Sequence, residues 1–288
     1  METIRILDGI EPIAADYDLF LVDQWGVLHN GAAPHEGALE ALRQLRATGK
    51  PVVLISNSSK RVSVSERNLA QLGIERDLYD HAVTSGELGW QAMQARQDPF
   101  FAELGRRCFM FTWGGDMSFI DGLDLEAVQS MDDAEFLLLA GTSGAPVSTY
   151  EEPLQAGARR NLPMVCLNRD MVSVDPEGKL VDCSGKAAAR YEALGGTVRY
   201  YGKPGGDIYD ACLALAPGAE RPLAIGDSLH HDIGGANGIG AASVLVTSGI
   251  HRFELGDDPA QRPNVGPLMR LAEAYEAKPT FAMAYLAW

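Results

Sequence analysis

The chain is poor in cationic side chains. Its 288 residues contain 24 Lys and Arg against 39 Asp and Glu, which gives a formal charge of −15 at pH 7. Non-specific affinity for nucleic acid comes mainly from clustered Lys and Arg that displace counterions, and no basic run occurs in this sequence. We therefore expect no nucleic-acid partner. An anionic substrate would need a local cation, either a lysine or a metal ion.

Cysteines are few, and apolar runs are short. The cysteines are Cys108, Cys166, Cys183 and Cys212. They form no C-x-x-C pair, so their spacing indicates neither a zinc site nor a disulfide framework and favours a reducing cytosol. No apolar stretch approaches the ~20 residues of a membrane span, and Met1–Arg5 lacks the pattern of a signal peptide. We expect a cytoplasmic protein with no membrane partner.

Short apolar runs alternate with helical patterns along the first and last thirds of the chain. This alternation is typical of βαβ units and predicts an α/β fold with a mostly parallel sheet. The predicted strands are Leu19–Val22, Val52–Ile55, Ala82–Thr84, Val198–Tyr201, Leu223–Ile225 and Ala242–Val246. The predicted helices are Glu36–Ala47, Val64–Leu72, Asp207–Ala216 and His231–Asn237.

The middle of the chain predicts a second, smaller α/β unit inserted into the first. Its candidate strands are Cys108–Thr112, Glu135–Leu139 and Met164–Leu167, and its candidate helices are Tyr150–Arg160 and Gly185–Leu194. We place a discontinuous core domain at 1–96 and 197–288 and the inserted domain at 97–196. The apolar, aromatic segment Phe281–Trp288 is expected to pack back on the core, with a dimer contact as the alternative.

Four chemically useful residues come directly after predicted core strands. They are Asp23, Ser56, Lys203 and Asp227. Ligands of parallel sheets bind at the carboxyl ends of the strands, so these side chains are expected to converge at one edge. Each has an ordinary structural explanation when taken alone, as a turn residue, a helix cap or a solvated loop lysine. Together they supply a nucleophile, a hydroxyl donor, a cation and a metal-binding carboxylate.

The same residues make chemical sense as a phosphoryl-transfer site. Mg²⁺ prefers carboxylate and carbonyl oxygens, so Asp23, Asp227 and a backbone carbonyl would hold it. Lys203 and the Ser56 hydroxyl would neutralise and orient the phosphoryl oxygens in the transition state.

Four motifs occur in order along the chain. They are Asp23-x-Trp25-Gly26, Ser56-Asn57-Ser58-Ser59, Gly202-Lys203-Pro204 and Gly226-Asp227-x-x-x-x-Asp232. These motifs resemble those of the haloacid dehalogenase-like superfamily, and more closely those of its subclass IIA, the branch of p-nitrophenyl phosphatase and pyridoxal phosphatase-like enzymes. The resemblance covers nearly the whole chain. It implies a Rossmann-like core with an α/β cap domain of the C2 type inserted between the second and third motifs.

The resemblance also implies roles for individual residues. Asp23 would be the nucleophile that becomes an aspartyl-phosphate. Phosphate binding would fall to Ser56, Asn57 and Lys203. Asp23 and Asp227 would hold Mg²⁺, and Asp232 would support the site by orienting Lys203 or a metal-bound water. In the inserted domain the candidates for substrate contact are Asn168, Arg169 and Asp170, with packing or an internal salt bridge as the alternative for the last two.

Trp25 departs from the motif of the superfamily, whose phosphatases usually carry a second aspartate there. That aspartate protonates the leaving group and later activates water, which an indole cannot do. The backbone carbonyl of Trp25 could still bind Mg²⁺, because this contact does not depend on the side chain. His29 and the pair His230-His231 are candidate replacement acids, because a histidine titrates near neutral pH, but turn or helix-surface positions explain them better.

These observations predict a Mg²⁺-dependent phosphatase that acts on a small phosphorylated metabolite. Loss of general acid catalysis, typically worth 10²–10⁴-fold, predicts slow or leaving-group-selective hydrolysis. The alternative is a catalytically weak or idle protein that binds a phosphorylated ligand and has a regulatory role. A dehalogenase is a more distant alternative, because that chemistry does without Mg²⁺. A homodimer is plausible.

Overall fold

Strands and helices alternate along the chain in the computed structural model, which describes residues 3–256 and 261–288. The strands are β1 Arg5–Ile6, β2 Leu19–Asp23, β3 Val52–Ser56, β4 His81–Thr84, β5 Arg107–Phe111, β6 Glu126–Val128, β7 Phe136–Leu139, β8 Met164–Cys166, β9 Val172–Val174, β10 Leu180–Asp182, β11 Val198–Tyr200, β12 Pro222–Gly226, β13 Ala242–Val246 and β14 Phe281–Met283. The α-helices are α1 Glu11–Ala14, α2 Ala38–Ala47, α3 Val62–Gln71, α4 Ser85–Ala95, α5 Pro99–Glu103, α6 Glu151–Arg159, α7 Ser184–Ala193, α8 Gly206–Ala214, α9 Gly234–Gly238, α10 Arg252–Leu255 and α11 Val265–Ala274. A π-helical turn, Leu229–Ile233, precedes α9.

The core unit is a seven-stranded parallel sheet with the order β1-β14-β13-β12-β2-β3-β4. Strand β2 is buried along its whole length, as expected for a parallel strand covered on both faces. Phe20 and Val22 pack in one hydrophobic cluster with α2, and Leu19 and Leu21 pack in another with α8. The predicted α/β fold with a parallel sheet is therefore confirmed.

The second sheet has five parallel strands in the order β11-β8-β7-β5-β6. All of its strands lie in sequence between β4 and β12 of the core sheet, which confirms an inserted α/β unit. One face packs against α6 and α7 through Leu154, Ala188 and Tyr191. The other face carries Met93 and Phe101, from the helices that follow β4.

The assignment of one predicted strand was wrong. The segment Val198–Tyr201 was expected in the core sheet, but β11 pairs with β8 in the inserted sheet, with Tyr200 opposite Cys166. The sequence of a short apolar strand does not show which sheet the strand will join. Strand β8 pairs with β7 on one side, and β11 pairs with its other side. Sheet membership extends the inserted unit to Tyr200, beyond the limit at 196. The domain limits otherwise stay a prediction.

The C-terminal segment belongs to the core, as predicted. Strand β14 lies between β1 and β13, and the Ile10 N–H donates to the Ala287 carbonyl at 3.0 Å. A further hairpin of β9 and β10, which was not predicted, forms a separate two-stranded antiparallel sheet. Within the described ranges, no helix combines the length and the apolar character that crossing a bilayer requires.

Candidate active site

Three neighbouring core strands deliver the predicted site residues to one edge of the sheet. Asp23 ends β2, Ser56 ends β3, and Asp227 follows β12, and these strands pair with one another in the order β12-β2-β3. Lys203 reaches the same place by a different route, from the loop between β11 of the inserted sheet and α8. The expected convergence is found, but the lysine approaches from the inserted unit.

Lys203 is the electrostatic centre of the site. Its Nζ donates to Asp23 Oδ1 at 2.6 Å and to Asp232 Oδ1 at 2.7 Å, and the lysine is only 2% exposed. Burial lowers the pKa of the ammonium, but Asp23 and Asp232 outweigh it and hold the pKa well above its ordinary value. Lys203 is therefore a permanent positive charge. Asp232 is fixed in turn by the Ser228 N–H, which donates to its Oδ2 at 3.0 Å.

Three buried carboxylates surround this single ammonium group. Oxygens of Asp23, Asp227 and Asp232 lie within 4.8 Å of one another. Burial raises the pKa of Asp23, partly opposed by Lys203, and burial together with the charge of Asp23 raises that of Asp227. With all three ionised, the cluster would carry about two uncompensated negative charges in a desolvated place. A divalent cation would balance that charge.

The donor set fits Mg²⁺ in other respects. Among the described residues, neither the N–H nor the carbonyl of Trp25 takes part in a hydrogen bond, which leaves that carbonyl available to a cation. Asp227 is held in place by the Ile250 N–H, which donates to its Oδ2 at 3.0 Å. Carboxylate and carbonyl oxygens are the ligands that Mg²⁺ prefers.

Gly26 permits this arrangement. Its φ of +84° lies in the left-handed region, and a Cβ there would stand 2.1 Å from Asp227 Oδ2. Any larger residue would both strain the loop after β2 and displace the carboxylate. The glycine of the motif is thus required by the approach of Asp227 to the β2 loop.

Ser56 and Asn57, at the end of β3, differ in whether their side chains can still bind an anion. Ser56 Oγ accepts from the Ser58 N–H at 3.2 Å, which leaves the hydroxyl proton free for an anion. The Asn57 side chain is fully used, because its Nδ2 donates to Asp170 and to the Lys203 carbonyl while its Oδ1 accepts from the Lys203 N–H. Asn57 therefore fixes the Lys203 loop, and only its backbone N–H is left for the predicted phosphate contact.

The side chain of Trp25 bridges the two units. Its Nε1–H donates to the Val174 carbonyl in β9 at 2.8 Å, and the side chain remains 38% exposed at the mouth of the site. The ring stands edge-on against His29, with the ring centroids 5.4 Å apart. Its single polar hydrogen is thus committed to the inserted unit, and the position offers no proton to a leaving group.

The three histidines considered as replacement acids lie in different environments. His29 is buried away from the cavity, where desolvation followed by the charge of His35 lowers its pKa to about 4. His230 is exposed. His231 lines the cavity, with Nδ1 3.0 Å from Ser228 Oγ, and its buried Nε2 has no partner among the described residues. Burial lowers the pKa of His231, so the ring is neutral near pH 7.

The three candidate substrate residues of the inserted unit also differ in their contacts. Asp170 lines the cavity and accepts from Asn57 Nδ2 at 2.8 Å. Arg169 instead stacks over the ring of Tyr200, with the guanidinium carbon 5.0 Å from its centroid. Asn168 closes a turn by accepting from the Asp170 N–H. A substrate contact by Arg169 or Asn168 stays a prediction.

The site is a small cavity of about 50 Å³ between the core and the inserted unit. Its lining comprises Asp23, Trp25, Ser56, Asn57, Asp170, Val172, Ser173, Lys203, Asp227, Ser228, His231, Asp232 and Ile250. Of these residues, Val172, Ser173, Ser228 and Ile250 were not predicted from the sequence. A signal for the first two existed, because alternating residues flank the turn sequence Asp-Pro-Glu-Gly at 175–178, a pattern that predicts a hairpin.

Comparison with known proteins identifies the same family from both ends of the chain. Residues 20–126 match the model of haloacid dehalogenase-like hydrolases, and residues 200–274 match a second, HAD-hydrolase-like model. The two matched ranges contain all four motifs and flank most of the inserted unit.

Relatives and solved structures agree with these matches. The sugar-phosphatase AraL of Bacillus subtilis is 27% identical over 80% of this chain and 82% of its own length. A haloacid dehalogenase-like hydrolase from Brucella suis superposes with a TM-score of 0.82 at 27% identity, over 98% of this chain and all of the other. A Mycobacterium tuberculosis glycerol phosphate phosphatase in complex with magnesium shares the fold, with a TM-score of 0.62 at 24% identity over 87% and 74% of the two chains. The chain therefore belongs to the haloacid dehalogenase-like superfamily and is a phosphatase of phosphate monoesters.

Proposed function

We propose that this phosphatase is Mg²⁺-dependent and acts through an aspartyl-phosphate on Asp23. The observation that carries the proposal is the Lys203 ammonium, which is buried between Asp23 and Asp232 in a cluster with two carboxylates too many for neutrality. Such a site is prepared to receive a divalent cation and a phosphoryl group together. Asp23, Asp227 and the Trp25 carbonyl would hold the cation, which supplies charge neutralisation of the phosphoryl oxygens when bound.

The residues of the chain divide the reaction between them. A carboxylate oxygen of Asp23 attacks phosphorus, and the bond from phosphorus to the leaving oxygen breaks as the new bond forms. Lys203 and the Ser56 hydroxyl orient the equatorial oxygens and stabilise their charge. In the second step water attacks the phosphorus of the aspartyl-phosphate, which releases phosphate and restores the Asp23 carboxylate. Asp232 keeps Lys203 in position throughout.

The leaving group receives no proton from position 25. The indole N–H of Trp25 is bonded to Val174, so an alkoxide would depart without the help that usually contributes 10²–10⁴-fold. Aryl and acyl phosphates, whose leaving groups need no proton, would suffer least. We infer a slow or leaving-group-selective enzyme whose substrates are small phosphorylated metabolites, in line with the sugar phosphates named for the Bacillus subtilis relative.

An assay over a panel of metabolite phosphates with Mg²⁺ tests this function. We expect release of phosphate from p-nitrophenyl phosphate and from at least one metabolite, and loss of both activities when the metal is chelated. If no phosphate is released while a beryllofluoride adduct still forms at the site, the protein is the weak or idle phospho-ligand binder instead. The intact nucleophile argues against that alternative.

Restoring a carboxylate at position 25 should change the preference for leaving groups. We expect Trp25→Asp to raise kcat/KM for an alkyl phosphate by about tenfold to a hundredfold relative to p-nitrophenyl phosphate, because only the alkoxide needs the proton. The ratio of the two rates is the measurement. Trp25→Phe is the matched control, since it also removes the indole N–H but adds no acid. An unchanged ratio in Trp25→Asp would show that protonation does not limit turnover.

Stabilisation by Mg²⁺ should grow with pH. The folded-state pKa values of Asp23 and Asp227 are raised, so without metal these carboxyls take up protons on folding. Their contribution to stability is present at low pH and is lost as the pH rises from the unfolded value, about 4, through the raised values. Mg²⁺ needs the ionised carboxylates, so the shift in thermal midpoint on adding MgCl₂ should be larger at about pH 8 than at about pH 5.5. Asp227→Asn should abolish the difference.

A further inference from the structure

The hairpin of β9 and β10, residues 172–182, which we call the cap hairpin, is attached to the core mainly by side chains. Two side-chain hydrogen bonds from described core residues reach it. The Trp25 Nε1–H donates to the Val174 carbonyl at 2.8 Å, and Arg252 donates to the Gly178 carbonyl at 2.7 Å. The cap hairpin pairs with neither of the two larger sheets, and an isolated two-stranded hairpin is marginally stable by itself. Its position over the site therefore depends on such contacts.

The loop after β2 packs closely around the Trp25 ring. Gly31 has a φ of +92°, and a Cβ on it would stand 2.2 Å from the indole Cη2. On another side the ring meets His29, whose Nδ1 accepts from the Gly31 N–H at 3.1 Å. Burial keeps His29 neutral, so this neighbour exerts no charge on the indole ring. The direction of the indole N–H is thus set by packing within the core.

The cavity under the hairpin is small. Its volume of about 50 Å³ is room for about three to five waters at ~10–15 Å³ each, which suits a phosphoryl group but not the whole of a phosphorylated metabolite. Val172 and Ser173 of the cap hairpin form part of its wall. If the chain works as proposed above, a substrate whose organic part lies under the hairpin displaces it on entry, and this movement breaks the bond between Trp25 and Val174.

We propose that Trp25 is a latch, a positioning residue that holds the cap hairpin closed over the phosphoryl site. The residue in the position of the usual general acid thereby controls access to the site instead of donating a proton. The latch concerns the regulation of the same site and so rests on the proposed function, but its physical basis, the hydrogen bond to Val174, can be tested without catalysis. A hydrogen bond of this kind shifts the ratio of closed to open hairpin by about threefold to tenfold.

Hydrogen exchange of the full-length protein without substrate tests the latch. We expect Trp25→Phe, which keeps a ring and removes the N–H, to raise amide exchange in residues 172–182 by about threefold to tenfold. Trp90→Phe is the matched control, because the Trp90 Nε1–H also donates to a backbone carbonyl, that of Asp121 at 3.2 Å, far from the hairpin in sequence. Gly31→Ala, which displaces the ring but keeps the indole N–H, should raise the same exchange and serves as a second test if Trp25→Phe does not fold.

The outcomes separate the latch from the enzyme function. Equal hairpin exchange in Trp25→Phe and the unsubstituted protein overturns the latch even if both hydrolyse phosphate esters. An equal rise in Trp90→Phe also overturns it, because the effect would then be general loosening. A rise confined to Trp25→Phe and Gly31→Ala supports the latch even if no phosphate ester is hydrolysed, in which case the proposed function fails alone.

Discussion

Asp23→Asn is expected to lower kcat for every phosphate ester by at least about 10³-fold, since an amide oxygen cannot replace the carboxylate as nucleophile. The substitution is nearly isosteric, and it removes one of three buried carboxylates that share a single ammonium group. Lys203 would keep its bond to Asp232, so the loop that carries it should stay in place. The loss of activity should therefore come without loss of the fold.

Two measurements identify the role of Asp23. Acid-quenched protein should contain a phosphoryl group bound to the unsubstituted chain and none bound to Asp23→Asn. Asp18→Asn serves as the matched control, because Asp18 is a carboxylate before β2 that accepts from the Arg221 N–H at 2.8 Å and lies outside the cavity lining. Persistence of the phosphorylated species in Asp23→Asn would show that another residue is the acceptor.

Much of this site could be predicted from sequence, because Asp23, Ser56 and Asp227 lie at the ends of buried strands of the core sheet. Strand β2 was predicted as Leu19–Val22 and extends by one residue, to Asp23 itself. Asp23 and Lys203 are separated by 180 residues, but both motifs are recognisable locally. Local patterns located Asp23, Ser56 and Asp227 because parallel strands of one sheet bring their carboxyl ends together whatever their separation in sequence. Lys203 was located by its motif alone, since it follows a strand of the inserted sheet.

Contacts between distant segments without a local signature could not be predicted. The partner of Trp25 lies 149 residues away in a hairpin, and nothing near Trp25 indicates that its indole would meet Val174. The sequence shows that Trp25 stands where an aspartate is usual. It does not show that the indole of Trp25 bonds to the inserted unit. The sheet to which β11 belongs could not be predicted for a similar reason, since its pairing with β8 depends on the tertiary structure.

The use of Asn57 illustrates a third limit. Its place beside Ser56 predicts a phosphate contact, but its side-chain amide is occupied by Asp170 and the backbone of Lys203. A residue type indicates which bonds are chemically available, and only the fold decides which of them are formed. His231 is the opposite case, because only the assembled cavity shows that its buried Nε2 has no hydrogen-bond partner among the residues that the structure describes.

Lys203→Met is expected to lower the free energy of unfolding by about 3–5 kcal/mol in the absence of divalent cations, since it leaves buried carboxylates without their counter-charge. The loss should increase with pH. Removal of the ammonium raises the carboxyl pKa values further, so the folded protein keeps its protons at low pH and loses stability as the pH rises through those values. Mg²⁺ should restore part of the stability, because it supplies the missing positive charge, but not the activity.

Lys186→Met is the matched control for this prediction. The Lys186 Nζ also contacts a carboxylate, that of Asp182 at 2.5 Å, but the two side chains remain 35% and 24% exposed. Removing such a solvated pair should cost no more than about 1 kcal/mol and should not depend on Mg²⁺. Urea unfolding of both variants at low and high pH, with and without MgCl₂, makes the comparison. Equal losses in the two variants would mean that the carboxylate cluster is neutralised by protons alone, and that Lys203 serves the phosphoryl group rather than the folded state.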